Sequence, residues 1–380
     1  MSSTFLRAAA TSLAVLTPLA LAACGDTGNG NQAAPGGAIT VEAKDDACTL
    51  ARTSADAGTL TFEVTNKGNR VTEFYLYAQG DRIMGEVENI APGVTRKLIT
   101  EVAEGGKYQA ACKPGMQGNG IRTDFTVNGN AQKQVDANAK LAEATKSYQR
   151  YVNSQVDPLL AKTTEFVNAV KAGKVEDAKS LFPVARTYWE RIEPVAESFG
   201  DLDPKIDARE ADLEEGQQFT GFHRLEKDLW VTGLQADAPA IADALLADVN
   251  EIVTKAKTVE LTPAQLANGA KELLDEVATG KITGEEDTFS HTDLWDFAAN
   301  VDGSKAAVAA LRPVVQERDA TLASTVDEKF KAVEDLLGKH RKGDGFKLYT
   351  DLTQDEIKAL AESIDALGEP ISKVAEVVTK

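Results

Sequence analysis

The segment Gly221-Phe222-His223-Arg224-Leu225-Glu226 sets a histidine and a glutamate three residues apart. On a helix both side chains leave one face and can reach one ion. Imidazole plus carboxylate suits zinc, iron or copper. Upstream, Glu190, Glu193 and Glu197 recur at offsets of three and seven, flanked by Trp189, Ile192 and Val195. Between the two segments, Asp201, Asp203, Asp207 and Asp212 offer further oxygen ligands. An ion held by Glu190, Glu193, Asp207, His223 and Glu226 would have mostly hard oxygen ligands and one nitrogen, a set that suits iron and also admits zinc.

A peptidase is the competing chemistry. The zinc-peptidase patterns His-Glu-x-x-His and His-x-x-Glu-His both fail, because Arg224 follows His223 and Lys227 follows Glu226. A site with a distant third histidine would draw on His291 or His340. His340, within Gly338-Lys339-His340-Arg341-Lys342, reads as an exposed loop residue. His291, within Ser290-His291-Thr292-Asp293, reads as a helix-start residue, a supporting group or a ligand, and Glu285, Glu286 and Asp287 just upstream could add a carboxylate.

A weaker constellation lies near the N-terminus. Cys112-Lys113-Pro114-Gly115-Met116 places a thiol and a thioether on one turn. Blue-copper domains carry Cys, His and Met on such a loop, with a second His elsewhere. All three histidines of this chain lie beyond residue 220, which excludes a standard blue-copper site. Two readings stay open: an altered copper or iron site from Cys48, Glu73, Cys112 and Met116, or a Cys48–Cys112 disulfide with Met116 as packing.

The elements that must position these residues fall into two blocks. From about residue 38 to 127 the apolar period is two, as in Leu60–Asn66, Val71–Tyr77 and Ile121–Val127. Turns at Ile90-Ala91-Pro92-Gly93 and Lys113-Pro114-Gly115 divide these runs, which predicts a small β-sandwich. From about Asp136 the period is helical. The pattern predicts a helix from Leu141 towards Gly173, with Asp157-Pro158 as a point of kinking or division, and a second over Val175–Phe199. An Asp-rich loop follows over Asp201–Asp212. Further helices are expected near Leu213–Val231, Ala238–Lys257, Pro263–Thr279, Ser304–Gly338 and Thr353–Val378, with Thr262 and Thr353 as N-caps. That is an all-α, bundle-like domain.

The chain has 380 residues, enough for two domains, and its 43% apolar content rules out extensive disorder. Its formal net charge of −18 argues against nucleic acid as a partner and favours cations. Residues 24–136 carry 14 acidic and 11 basic groups, a net of −3, and residues 137–380 carry 45 and 29, a net of −16, Arg7 being the one charge before residue 24. Arg7 and the apolar run to Ala23 have the layout of a secretory signal. The run ends Leu21-Ala22-Ala23-Cys24-Gly25, similar to the bacterial lipobox in which the Cys is lipidated. The Gly- and Asn-rich stretch up to Gly37 reads as a flexible tether.

In order and motifs the mature chain resembles the lipoprotein of Efe-type iron-uptake systems in its two-domain form, a cupredoxin-like domain followed by an imelysin-like domain of the M75 class. Val71-Thr72-Glu73-Phe74, Glu88-Asn89-Ile90-Ala91-Pro92-Gly93 and Cys112-Lys113-Pro114-Gly115-Met116 carry the likeness in the first domain. In the second it rests on Ile192-Glu193-Pro194-Val195-Ala196-Glu197-Ser198-Phe199-Gly200-Asp201, Gly221–Glu226 and Ser290-His291-Thr292-Asp293-Leu294-Trp295-Asp296-Phe297. The resemblance implies an iron-binding lipoprotein working with a membrane permease and a secreted haem peroxidase. Its Gly-x-His-x-x-Glu motif matches His223 and Glu226, its Glu-x-x-Glu pair matches Glu190 and Glu193, and its loop aspartate matches Asp207. Its first-domain ligands fall on Cys48, Glu73, Cys112 and Met116, for iron or for copper or zinc.

The expected organisation is thus a signal over 1–23, a tether over 24–37 beginning at lipidated Cys24, a cupredoxin-like sandwich over 38–128, a linker over 129–137 and an imelysin-like domain over 138–380. The expected protein is exported, lipid-anchored to the cell membrane, in a periplasm or on the outer face of the cytoplasmic membrane. It is not an enzyme but the iron-capturing component that feeds a permease. The alternative is a zinc-dependent peptidase of the M75 type.

Overall fold

The computed structural model describes residues 37–199, 202–213 and 216–380. The apolar leader, Cys24, nearly all of the tether and Asp201 lie outside the described residues.

The first block is the expected sandwich. Its strands are β1 (Ile39–Ala43), β2 (Cys48–Leu50), β3 (Ser54–Asp56), β4 (Gly58–Asn66), β5 (Thr72–Tyr77), β6 (Ile83–Ile90), β7 (Thr95–Val102), β8 (Gly106–Pro114) and β9 (Ile121–Asn128). They form two sheets, in the orders β2-β1-β4-β7 and β3-β9-β8-β5-β6. Along β4, buried Leu60, Phe62 and Val64 alternate with more exposed residues, so one face turns to the core. Phe62 closes the sandwich from one sheet against Phe74 and Phe125 of the other, with ring centroids 5.2 and 5.5 Å away.

The second block is helical: α1 (Gln134–Ala137), α2 (Ala139–Lys171), α3 (Val175–Glu190), α4 (Glu193–Glu197), α5 (Asp203–Asp207), α6 (Gly221–Lys227), α7 (Ala238–Ala256), α8 (Pro263–Thr279), α9 (Asp293–Arg318), α10 (Ala320–Gly338), α11 (Gln354–Ile371) and α12 (Val374–Thr379). A two-stranded hairpin, β10 (Arg341–Lys342) and β11 (Gly345–Phe346), links α10 to α11. Thr262 and Thr353 each form a capping box, with Gln265 and Glu356. Among the described residues no helix is long and apolar enough to cross a membrane.

Four local expectations are corrected. Helix α2 runs on through Pro158 instead of dividing there. The run expected over Ser304–Gly338 is two helices, because Asp319 leaves helical geometry and its side chain accepts the Leu322 amide hydrogen to cap α10. The run expected over Leu213–Val231 shrinks to α6, continued by one π turn at Asp228–Thr232. The loop after α4 contains α5 and a 3-10 turn, Glu210–Asp212.

The blocks pack on each other through β6, β7 and α8. Ile99 of β7 is buried in the helical core, and the Asn268 amide donates to its carbonyl at 3.0 Å. The Glu101 carboxylate accepts the Gln134 amide hydrogen at 2.7 Å.

Candidate metal centre

Helix α3 places Arg186 and Glu190 one turn apart on one face. The chain then turns through Arg191 and Ile192, and α4 opens with Glu193. Helix α9 comes unusually close to this turn because residue 303 is glycine. A Cβ there would stand 2.6 Å from the Arg191 carbonyl oxygen. That approach brings Asn300 of α9 within donating distance of Glu190, at 3.0 Å, and Glu193, at 3.2 Å.

Arg186 is fully buried at the centre of the cluster. Its guanidinium donates to Glu190, Asp207, Glu286 and Asp296 and lies 3.4 Å from Asp287. So much buried negative charge around one cation is affordable only because the cation is permanent and its fork addresses several carboxylates at once. Burial nevertheless pushes the carboxyls of Asp287 and Asp296 well above the usual carboxylate range, against the pull of Arg186.

His223 lies beside this centre, 1% exposed. Its Nδ1 meets Glu226 Oε2 at 3.0 Å, while Glu226 Oε1 accepts the amide hydrogens of Phe289 and Ser290 at 3.1 and 2.7 Å. Both oxygens of Glu226 are thus engaged, and the carboxylate sits behind the ring and fixes its orientation. The other nitrogen, Nε2, has no hydrogen-bond partner. It points to Asp207 and Glu286, whose oxygens are 3.5 and 3.6 Å away. Burial and Arg186 oppose protonation of the ring. The hydrogen bond to Glu226 and the nearby negative charge of Glu286 and Asp207 outweigh them, lifting the pKa to about 9.

A second cation, Lys281, occupies the far end. Its Nζ stands 2.7 Å from Glu276, 3.0 Å from Glu190 and 3.5 Å from Glu193. Burial, with Glu190 and Glu276, pushes the Glu193 carboxyl well above its ordinary range. At Glu286 the balance is reversed. Burial raises it, but Lys281, His223 and Arg186 together hold it well below that range.

The five residues singled out from sequence therefore meet in one cluster, but not around one point. Three ion-sized groups overlap along it, each with ligand atoms within 4.8 Å of one another. Asp207, His223 and Glu286 form the first, Glu190, Glu286 and Asp296 the second, and Glu190, Glu193 and Glu276 the third. Glu226 joins His223 and Asp287 in a fourth group on the other side of the ring. Glu286, Glu276 and Asp296 were not among the five, nor were Arg186 and Lys281. Arg186 had a local signal, its four-residue spacing from Glu190. Lys281 had none.

A cleft of about 540 Å³ between the blocks reaches this cluster. Glu193, Asp207, Lys281 and Glu286 line one wall, and Glu73, Glu88 and Met116 of the sandwich line the other. A second cavity of about 310 Å³ reaches His223, Glu226 and Glu286 from beside Phe289.

In the sandwich, Cys48 and Cys112 are bonded to each other. The thiolate alternative is thereby corrected, since a disulfide leaves neither sulfur free as an anionic ligand. Glu73 is buried, accepts from the Tyr75 hydroxyl at 3.1 Å and lies 3.9 Å from Lys113. Met116 is 44% exposed on its turn.

His340, expected in an exposed loop, is buried instead, because the β10–β11 hairpin folds back and Lys347 donates its amide to the His340 carbonyl at 3.0 Å. His291 adopts φ of 59° in the turn before α9. Its amide bonds Asp287 and its carbonyl accepts from Tyr349. It belongs to none of the ion-sized groups among the described residues.

A β-sandwich followed by a helical bundle with an internal carboxylate–histidine cluster defines a class. Residues 144–374 match the imelysin (peptidase M75) family model, and residues 11–127 match the cupredoxin-like domain model. The chain belongs to the imelysin family, in the form preceded by a cupredoxin-like domain. A protein of Staphylococcus haemolyticus named "Efem/EfeO family lipoprotein" is 42% identical over 289 residues, covering 74% of this chain and 99% of its own. One of Escherichia coli O157:H7 named "Iron uptake system component EfeO" is 38% identical over 346 residues, covering 90% and 91%.

Proposed function

We propose that this chain is the extracytoplasmic, lipid-anchored iron-binding component of an Efe-type uptake system, which captures iron in the helical cluster and passes it to a membrane permease. The observation that carries this reading is His223 Nε2, buried without a hydrogen-bond partner and aimed at Asp207 and Glu286. One imidazole nitrogen and hard carboxylate oxygens fit iron. Glu190 and Glu193 continue the site toward the cleft, and Glu226 orients the ring. Relatives named as iron-uptake components support the reading, as does the acid excess of the helical block, whose field concentrates cations. Partners in this reading are the permease and a secreted haem peroxidase of the same system, and the anchor is Cys24.

The M75 peptidase alternative needs a carboxylate free to activate water. Glu226 is tied by two backbone amides and by His223, which argues against that role.

The test is iron binding by the full chain in competition with a chelator. His223→Ala and Glu286→Gln each weaken binding by at least about tenfold. Unchanged affinity and stoichiometry in both variants would sink the reading. Zinc-dependent cleavage of a peptide library, lost in Glu226→Ala, would establish the alternative.

A further inference from the structure

The Lys281 ammonium stands where a metal ion would stand. Glu190, Glu193 and Glu276 present oxygens within 4.8 Å of one another, and Nζ lies 2.7–3.5 Å from all three. Glu286, which also faces His223, is 4.0 Å from the same nitrogen. An ammonium and a metal cation repel each other, so they cannot share these oxygens.

The two buried cations of the cluster differ in their freedom. Arg186 is fully enclosed and addresses five carboxylates through a rigid planar fork. Lys281 is also buried, yet it lines the interdomain cleft and carries its charge on a flexible four-carbon stem. Its backbone is held. The Gly280 amide donates to Glu276 O and the Thr283 amide to Gly280 O, both at 2.8 Å, while the Tyr349 hydroxyl donates to the Ile282 carbonyl. The backbone on both sides of Lys281 is thus anchored, and the open direction for its side chain is the cleft.

We propose that Lys281 is the resident counter-cation of the metal-free site, displaced into the cleft when iron binds at Glu190, Glu193 and Glu276, and that this exchange keeps iron binding reversible. The inference rests on the proposed function and adds a specific role for a residue that is not a ligand. In the metal-free state Lys281 satisfies the carboxylates. On release it reoccupies the oxygens and opposes rebinding. A purely structural ion pair makes the opposite prediction, because its loss would loosen the site and weaken iron binding.

The experiment compares the full chain with Lys281→Met and Glu193→Gln. Iron is supplied as ferric nitrilotriacetate and, under argon, as ferrous sulfate, with chelator competition as the readout. Lys281→Met is expected to bind iron at least about tenfold more tightly and to release it more slowly, with a lower melting temperature in the metal-free form. Binding that is unchanged or weaker in a folded Lys281→Met overturns the proposal. A second measurement uses only the natural sequence: acetylation of Lys281 by an N-hydroxysuccinimide ester, followed by peptide mass analysis. Several-fold faster labelling in the iron-loaded form is expected, and equal labelling in the two forms overturns the displacement even if the Met variant fails to fold. If the natural chain binds no iron, the proposed function fails and the displacement with it; if Glu193→Gln binds as well as the natural chain, iron does not sit at Glu190, Glu193 and Glu276 and the displacement fails, while the His223 reading keeps its own test. If Glu193→Gln weakens binding and the Lys281 results are negative, only the role of Lys281 falls.

Discussion

Gly221 and Ile206 approach so closely that a side chain at 221 has no room. A Cβ there would stand 2.1 Å from the Ile206 carbonyl oxygen, and the residue has φ of +77°. Both properties demand glycine. The contact sets α6 directly on α5, and those two short helices carry His223 and Asp207.

Gly221→Ala therefore separates α5 from α6. The obstacle is backbone, which cannot rotate aside, so a loss of about 3 kcal/mol in stability is expected. Iron affinity falls with it, since His223 Nε2 and Asp207 move apart. Thermal unfolding and chelator competition on the same variant check both outcomes.

His223 makes metal-free stability depend on pH. Its folded pKa, about 9, lies above the ordinary 6.5, so the folded state holds a proton that the unfolded state gives up. The resulting stabilisation is complete below pH 6.5 and disappears as pH rises through about 9. His223→Gln should flatten the melting temperature across that window. A wild-type curve already flat between these limits would refute the assignment.

On the sandwich side of the cleft, the Tyr75 hydroxyl stands between Glu73, at 3.1 Å, and Glu88, at 3.0 Å, with one hydrogen for the two carboxylates. Burial first, and then the charge of Glu73, lift the neighbouring Glu86 to about 7. A carboxyl raised in the folded state binds its proton more tightly there, so stability drops as pH climbs from about 4.5 through 7. Glu86→Gln should gain on the order of 1–3 kcal/mol at pH 8 and nothing at pH 4. Denaturant titrations at the two pH values decide it.

The Cys48–Cys112 bridge closes a loop with a sequence separation of 64. Removing it in Cys48→Ala/Cys112→Ala should cost about 4 kcal/mol, because the unfolded chain regains the freedom of that loop. Near-ultraviolet circular dichroism of the full chain, with and without reductant, follows the loss. Iron binding by the helical cluster should persist in the double variant.

Sequence periodicity was a sound guide wherever one face of an element meets the core. Leu60, Phe62 and Val64 alternate as a half-buried strand must, and Thr262 and Thr353 declare their helices through their own caps. It failed where a tertiary partner decides. Asp319 ends a helix that composition alone would continue, and His340 is buried by a hairpin whose tip is polar. The cluster follows the same division. Glu190, Glu193, His223 and Glu226 were legible because each pair shares a helical spacing or a short local motif. Lys281 was not, since Glu190 and Glu193 come from another part of the chain, while Glu276 and Glu286, five residues to either side, fall at no helical spacing. Likewise two cysteines reveal their number but not whether they face each other.

Ile39 opens β1, and β1 is bonded to β2 on one side and to β4 on the other. Any tug from the chain upstream of residue 37 arrives at this strand before any other element described. To yield, β1 must slide against two ladders at once, with Ile39 to Ala43 registered against Phe62 to Asn66. A pull from the N-terminal side therefore meets two hydrogen-bonded ladders before it meets any helix that carries a carboxylate of the cluster.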